Sequence, residues 1–392
     1  MTSRDLLFLT CLALVVVVAS SCQEQQLDAV GTTYLDLPTQ RFQYNNPLDS
    51  NNSISTLGRV LFYDRQLSLN NSTSCASCHK QSAGFADNVR FSRGFEGRLT
   101  SRNSMPIQNL FGSAVLFDKK VFNPTSSSSP FNPFSQHLFW DGREQSLDGL
   151  ILQPVSNHIE MGIRDLPSLT EKLSQAPYYA PLFVDAFGDK EITGERITKA
   201  ISTFVMTINT NKTRFDQYVQ SNFINSPTDL AVIPGNKSKL LTPIELEGMM
   251  LFQTKYDCNS CHQVQSTFGY QLAGTFANIG LDATYADPGL ASVTNNPADI
   301  GKFKIPSLRN VEFTAPYMHD GRFATLDEVV GHYSEGMINH PNLDTRLAGG
   351  GGTARSMHIS EHEKEALIAF LKTLSDRSVI TDEKFSDPFK VY

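Results

Sequence analysis

The sequence predicts a mainly α-helical fold made of two similar halves, and three observations lead to it. Apolar residues recur at helical spacing through most segments, whereas the two-residue alternation of strands is sparse. The pentapeptide Gly-x-x-Leu-Phe occurs at 58–62 and again at 248–252. Each copy is followed by Cys-x-x-Cys-His, at 75–79 and at 258–262, so the repeat is longer than either motif alone.

Taken in order, the chain opens with Arg4 and an apolar run over 6–19 that is too short to span a membrane. It reads as a signal peptide over 1–21 of the lipoprotein type. Ala19-Ser20-Ser21-Cys22 resembles a lipobox with Ala19 where Leu is more usual, and Cys22 is the expected lipid anchor; the alternative is a soluble chain cleaved nearby. Residues 22–50 read as a polar tether. A helix is expected over 53–62, with Leu57, Val60 and Leu61 on one face. Residues 123–135, rich in Ser and Pro, read as a surface loop.

Helices are expected at 166–173, 181–187 and 192–208, the last with a stripe of Ile197, Ile201, Phe204, Val205 and Ile208. Turn residues over 221–241 mark a linker, which divides the chain into an N-terminal domain over 51–235 and a C-terminal domain over 236–392. Thr242 as N-cap, Pro243 at the first position and Glu245 as the capping-box partner start the second repeat's helix. Residues 263–310 read as a long ordered loop, 326–333 as a helical stretch and 361–374 as a last helix. The C-terminal tail is expected to pack back on the first domain.

Cys-x-x-Cys-His is the attachment signature of c-type haem. Each thiol adds to one vinyl group, and the following histidine then lies under the ring as proximal iron ligand. Cys75, Cys78 and His79 would hold one haem, and Cys258, Cys261 and His262 the other. The remaining cysteines, Cys11 and Cys22, fall in the leader, which leaves none for a disulfide. Each half therefore reads as a cytochrome c-like unit. Covalent haem requires export, and the net charge of −7 argues against a nucleic-acid partner.

Two residues suggest chemistry beyond electron transfer. Trp140, the only tryptophan, reads as a core anchor or an electron relay between haems. Glu160 reads as a surface acid or, in a haem pocket, as the carboxylate that moves a proton on peroxide.

Over roughly residues 50–375 the chain resembles the bacterial di-haem cytochrome c peroxidase family, including its MauG-like branch. The resemblance rests on motifs in order: Cys75 to His79, Arg102-Asn103, Phe139-Trp-Asp-Gly-Arg143, Glu160-Met161, Cys258 to His262, Pro306-Ser-Leu-Arg-Asn310 and Thr314-Ala-Pro-Tyr-Met-His-Asp-Gly321. It implies that His79 is the proximal ligand of a peroxide-reactive haem, with Glu160 on the distal side and Trp140 between the haems. His262 would bind the electron-accepting haem. Asn103, with the backbone carbonyls of Thr314 and Pro316, would match the family's calcium site. Dimers are common in the family.

The sequence departs from the ordinary peroxidases twice. Sixteen residues beyond His79, where they place a histidine that caps the first iron, stands Phe95, which cannot ligate. Fourteen residues beyond His319, where they place methionine, stands Tyr333, as in the MauG-like branch. Tyr333 is the expected second ligand of the C-terminal haem iron, with His332, Met337 and Met318 as alternatives, while His319 reads as a residue near or between the haems.

The expected activity is that of an exported, periplasmic oxidoreductase that reduces hydrogen peroxide to water, with electrons from a cytochrome or cupredoxin entering through the C-terminal haem. The alternatives are MauG-like oxidation of a protein or small organic substrate, and a di-haem electron carrier or sensor without turnover.

Overall fold

The computed structural model describes residues 34–35, 52–110, 137–210, 212–223, 239–262, 264 and 276–390. The expected leader, Cys22, most of the tether, the Ser-rich loop and residues 224–238 of the expected linker lie outside them. The chain divides into two units, one of Met1–Leu37 with Asp387–Tyr392 and the other of Pro38–Ser386. In the first, β1 (Tyr34–Leu35) pairs antiparallel with β4 (Phe389–Lys390), Tyr34 opposite Lys390.

The second unit is built on two helix pairs. In the first half α1 (Asn52–Tyr63) crosses α6 (Gly194–Thr207); in the second α8 (Pro243–Met250) crosses α10 (Glu361–Lys372). Between α1 and α6 lie α2 (Cys75–Cys78), α3 (Leu147–Ser156), α4 (Leu166–Ser174) and α5 (Tyr179–Phe187). Helix α7 (Arg214–Phe223) follows α6, and α9 (Leu326–Gly331) precedes α10. Among the described residues strands are confined to two-residue pairs, including β2 (Phe276–Ala277) with β3 (Phe303–Lys304).

The helix starts are local sequence chemistry. The Thr242 hydroxyl accepts from the Glu245 amide while the Glu245 carboxylate accepts from the Thr242 amide at 2.8 Å, and Thr325/Glu328 and Ser360/Glu363 repeat this reciprocal cap. Each satisfies two amides that a helix start leaves without partners.

The repeated glycine explains the crossing. A Cβ on Gly58 would lie 2.5 Å from the carbonyl carbon of Ala200 and 2.9 Å from Cβ of Phe204. A Cβ on Gly248 would lie 2.5 Å from the carbonyl carbon of Ala366 and 2.9 Å from Cβ of Phe370. Only glycine lets the backbones come this close. One turn on, Phe62 meets Phe204 with ring centroids 5.2 Å apart, and Phe252 meets Phe370 at 5.3 Å. The repeat therefore includes Ala-x-x-x-Phe on the partner helix, a signal spread over one residue in four and easily missed in the sequence.

Of the helices named above, the single turn α2 and the longer α3 and α7 are not expected from the sequence. Helix α3 runs to Ser156 with Pro154 in its last turn, where the missing N–H costs one hydrogen bond and the helix stops two residues later. Helix α7 sends Phe215 and Tyr218 into the core around α8 and α10, and Phe215 meets Phe370 edge-on at 5.5 Å. Buried Asp216 pairs with buried Arg309 through two bonds of 2.6 and 2.8 Å. Near the end of the unit, Gln81 donates to the carbonyls of Val379 and Asp382, and Arg59 and Tyr63 donate to those of Ser386 and Phe385.

Candidate active site

Helix α2 is a single turn, so Cys75 and Cys78 project from one face of it, and the His79 amide closes on the Cys75 carbonyl at 2.9 Å. The second motif repeats the arrangement, with the His262 amide 2.8 Å from the Cys258 carbonyl. Both imidazoles are oriented through Nδ1, that of His79 by the Phe85 carbonyl at 3.0 Å and that of His262 by the Pro306 carbonyl at 3.1 Å. A histidine held this way donates through Nδ1 and keeps Nε2 as a basic lone pair for a metal. Burial lowers the pKa of both, His262 to about 4, so both stay neutral and ready to ligate.

Cys75, Cys78 and His79 open on a cavity of about 730 Å³, whose walls include Trp140, Leu150, Pro154, Glu160 and Met161. Burial raises the Cys75 thiol to about 12 and the Cys78 thiol to about 11, so neither is a ready thiolate nucleophile. Two neutral thiols on one helical face, a neutral imidazole with Nε2 unspent and a largely apolar chamber of this volume fit a covalently held haem.

Glu160 is positioned from both sides. The Asn157 side chain donates through Nδ2 to its Oε1 at 3.0 Å, the backbone amides of Glu160, Met161 and Gly162 all close on the Asn157 backbone carbonyl, and the Phe95 amide donates to the Glu160 carbonyl at 2.9 Å. Burial raises the carboxyl's pKa, opposed by the charge of Arg143. A carboxyl raised in this way holds a proton more readily than a solvated one and can give it up to a stronger base, as proton transfer requires. Phe95 itself does not line the cavity. Its ring lies against Gly162, where a Cβ would stand 2.5 Å from it, and its carbonyl accepts from Asn70 at 2.7 Å.

Trp140 is buried, and its Nε1 donates to the Asn103 carbonyl at 2.8 Å. Its own carbonyl accepts from the Lys304 amide at 2.8 Å, and Lys304 lies two residues before the Pro306 carbonyl that orients His262. A short backbone route thus joins the cavity wall to the second histidine. Asn103 spends its Nδ2 on the carbonyls of Val89 and Arg90, at 3.1 and 3.3 Å, and its amide closes on the His319 carbonyl at 2.7 Å. Buried His319 stacks flat on Phe303 at 3.6 Å, and burial lowers its pKa to about 4. Thr314 precedes a cis peptide between Ala315 and Pro316. Among the described residues, no group of three or more His, Cys, Asp or Glu side chains converges to hold a metal ion.

Tyr333 sits in a π-helical turn, His332–Gly336, that continues α9. Burial raises its phenol's pKa, and Cys258 and Cys261 push it the same way. The neighbouring His332 turns the other way and spends Nε2 on the Ile279 carbonyl at 2.9 Å. Met318 lies in a turn at φ 74°, its carbonyl accepting from the Gly321 amide at 3.2 Å.

Three contributors at the site had no clear mark in the sequence. The carbonyls of Phe85 and Pro306 are backbone groups, and Asn157 is one asparagine among many. Arg102 stands out in the sequence only as part of the Arg102-Asn103 motif. It binds Asp141 at 2.6 Å and Asp287 at 2.6 and 2.8 Å, tying the tryptophan loop to the segment after β2.

Comparison with known proteins points the same way. The model of the di-haem cytochrome c peroxidase family matches residues 52–223. Over 327 residues the chain is 31% identical to methylamine utilization protein MauG of Methylorubrum extorquens, covering 81% of this chain and 77% of that protein. It is 31% identical over 328 residues to cytochrome c551 peroxidase of Nitrosomonas europaea, covering 83% and 80%. Among solved structures, a MauG-like protein associated with microbial copper homeostasis superposes with a TM-score of 0.68 at 31% identity, covering 90% of this chain and 97% of that one. The diheme peroxidase BthA of Burkholderia thailandensis shares the fold, with a TM-score of 0.64 at 19% identity, covering 91% and 96%.

Proposed function

The chain belongs to the di-haem cytochrome c peroxidase family, and from that premise we propose that it reduces hydrogen peroxide to water in the His79 cavity, with electrons entering by way of the His262 site. The family consists of di-haem oxidoreductases, so the chain is an enzyme with haem c as its cofactor. The observation that carries the finer reading is Glu160, a carboxyl of raised pKa fixed by Asn157 on the wall of the cavity that His79 enters.

Bound haem supplies the two-electron chemistry; the polypeptide supplies position and proton handling. Cys75, Cys78 and His79 would hold one haem and Cys258, Cys261 and His262 the other, Tyr333 being the second ligand proposed for the latter. Glu160, once ionised, takes a proton from the near oxygen of peroxide and returns it to the departing oxygen. Leu150, Ile151 and Pro154 keep the chamber apolar, which strengthens the carboxylate's hold on that proton. Trp140 would pass electrons between the sites, a role supported by its position in the cavity wall and by the backbone link from its carbonyl through Lys304 to Pro306. Asn103, Thr314 and Pro316 are proposed to hold calcium, a hard cation suited to amide and carbonyl oxygens.

A second reading is favoured by Tyr333 and by the likeness to MauG proteins: peroxide-dependent oxidation of a protein or small organic substrate. Steady-state assays separate the two, because sustained peroxide consumption with a reduced cytochrome supports the first and single turnovers with such donors support the second. Glu160→Gln should lower the rate constant for peroxide by about 10²–10⁴-fold with haem content unchanged. The wild-type rate should rise with pH through the raised pKa of Glu160. A variant rate within twofold of wild type removes Glu160 from the mechanism.

A further inference from the structure

Four lysine and arginine side chains border the His79 cavity: Arg102, Arg143, Lys304 and Arg309. Three have carboxylate partners. Arg102 binds Asp141 and Asp287, Arg143 binds Asp141 at 3.1 Å, and Arg309 binds Asp216. Among the described residues Lys304 has no carboxylate or carbonyl within hydrogen-bonding range of its ammonium, although burial lowers its pKa to about 8. Its backbone is fixed by β3, which pairs with β2 and whose Lys304 amide donates to Trp140. The strand therefore sets the point on the cavity wall from which the side chain extends, beside Trp140 and two residues before Pro306.

A desolvated ammonium beside a cavity costs free energy unless an anion meets it. The protein carboxylates on the wall, Asp141 and Glu160, are held by Arg102 with Arg143 and by Asn157 respectively. The group that fits this cavity carries two carboxylates of its own, the propionate arms of haem. We propose that Lys304 is the counter-ion of a propionate of the haem bound at His79, and that its charge sets the reduction equilibrium of that haem. The proposal rests on the reading that a haem occupies this cavity.

The sign follows from charge. The haem gains an electron on reduction, so a nearby cation favours the reduced form and its loss favours the oxidised form. Lys304 would thus be a positioning and tuning residue between the two sites, acting on the haem through its propionate and on Trp140 through β3.

The test is spectroelectrochemical titration of both haems in the full-length holoprotein, comparing wild type with Lys304→Gln and Lys304→Arg and counting haem by the pyridine haemochrome method. Lys304→Gln should disfavour reduction of the His79 haem by tenfold or more, which is a fall of about 59 mV for one electron. The His262 haem should move less, and Lys304→Arg should restore the wild-type value. If Lys304→Gln fails to take up haem while Lys304→Arg takes up two, the need for a cation is likewise supported. Unchanged potentials in Lys304→Gln, a shift confined to the His262 haem, or loss of haem from both variants overturns the proposal. A wild-type protein with one haem, at His262 only, would instead overturn the reading on which it rests.

Discussion

Gly248→Ala tests the helix crossing of the second half, and Gly58→Ala that of the first. On an unobstructed helix the change would stabilise by about 1 kcal/mol, because alanine restricts the unfolded chain and favours helix. Here the added methyl meets the carbonyl carbon of Ala366 at 2.5 Å, where ordinary contact begins near 3.4 Å. The obstacle is backbone, and Ala366 and Phe370 are fully buried, so neither can turn away. Relief requires the helices to part by about an ångström, which loosens the Phe252–Phe370 contact as well. Overpacking of this kind costs about 3 kcal/mol, leaving a net loss of about 2 kcal/mol after the helix gain. Urea unfolding of the ferric holoprotein, followed by far-ultraviolet circular dichroism, should show the midpoint falling at constant slope. Gly194→Ala is the control, since its nearest obstacle is the tip of the Leu166 side chain, which can rotate. A neutral or stabilising Gly248→Ala would refute the close crossing.

Other outcomes follow from the same structure. Tyr333→Met should raise the potential of the His262 haem and leave the His79 haem nearly unchanged, since thioether sulfur favours the reduced iron that a phenolate disfavours; redox titration resolves the two, and no shift would remove Tyr333 from the coordination sphere. Asp216→Asn leaves Arg309 buried without its charge partner and should cost about 3–5 kcal/mol in chemical unfolding. Burial pushes the Asp216 carboxyl up, but Arg309 and Thr213 outweigh it and the net pKa is lowered. Its stabilisation is therefore complete above the ordinary carboxylate pKa of about 4 and is lost as pH falls through the lowered value. Wild type should lose stability over that acid window more steeply than Asp216→Asn.

The legible parts of the chain were those with short-range signatures. Helix α8 carried its start in Thr242, Pro243 and Glu245, and the stripe Ile197, Ile201, Phe204 and Val205 predicted a helix that the structure gives as Gly194–Thr207. The paired Gly-x-x-Leu-Phe motifs marked the repeat, but their purpose became visible only beside Ala200 and Ala366, which lie more than a hundred residues away in the chain. Helix α3 was obscured because Pro154 reads as a stop, although near a helix end it removes only one bond. Helix α7 was obscured by the turn residues that follow it, which drew the expected linker back to residue 221. Lys304 was silent for a different reason. A lysine beside a phenylalanine is an ordinary surface pattern, and only the fold turns that strand toward the cavity.

The most direct test of the central claim is to mix the fully ferric holoprotein with one equivalent of hydrogen peroxide and follow both irons by freeze-quench electron paramagnetic resonance. With Phe95 packed against Gly162 and away from the cavity, a high-spin signal should be lost rapidly, and the low-spin signal with it as oxidising equivalents are shared by way of Trp140. No reaction until one electron has been added would contradict it. That result would mean that another residue caps the first iron, and that the enzyme works as a reductively activated peroxidase.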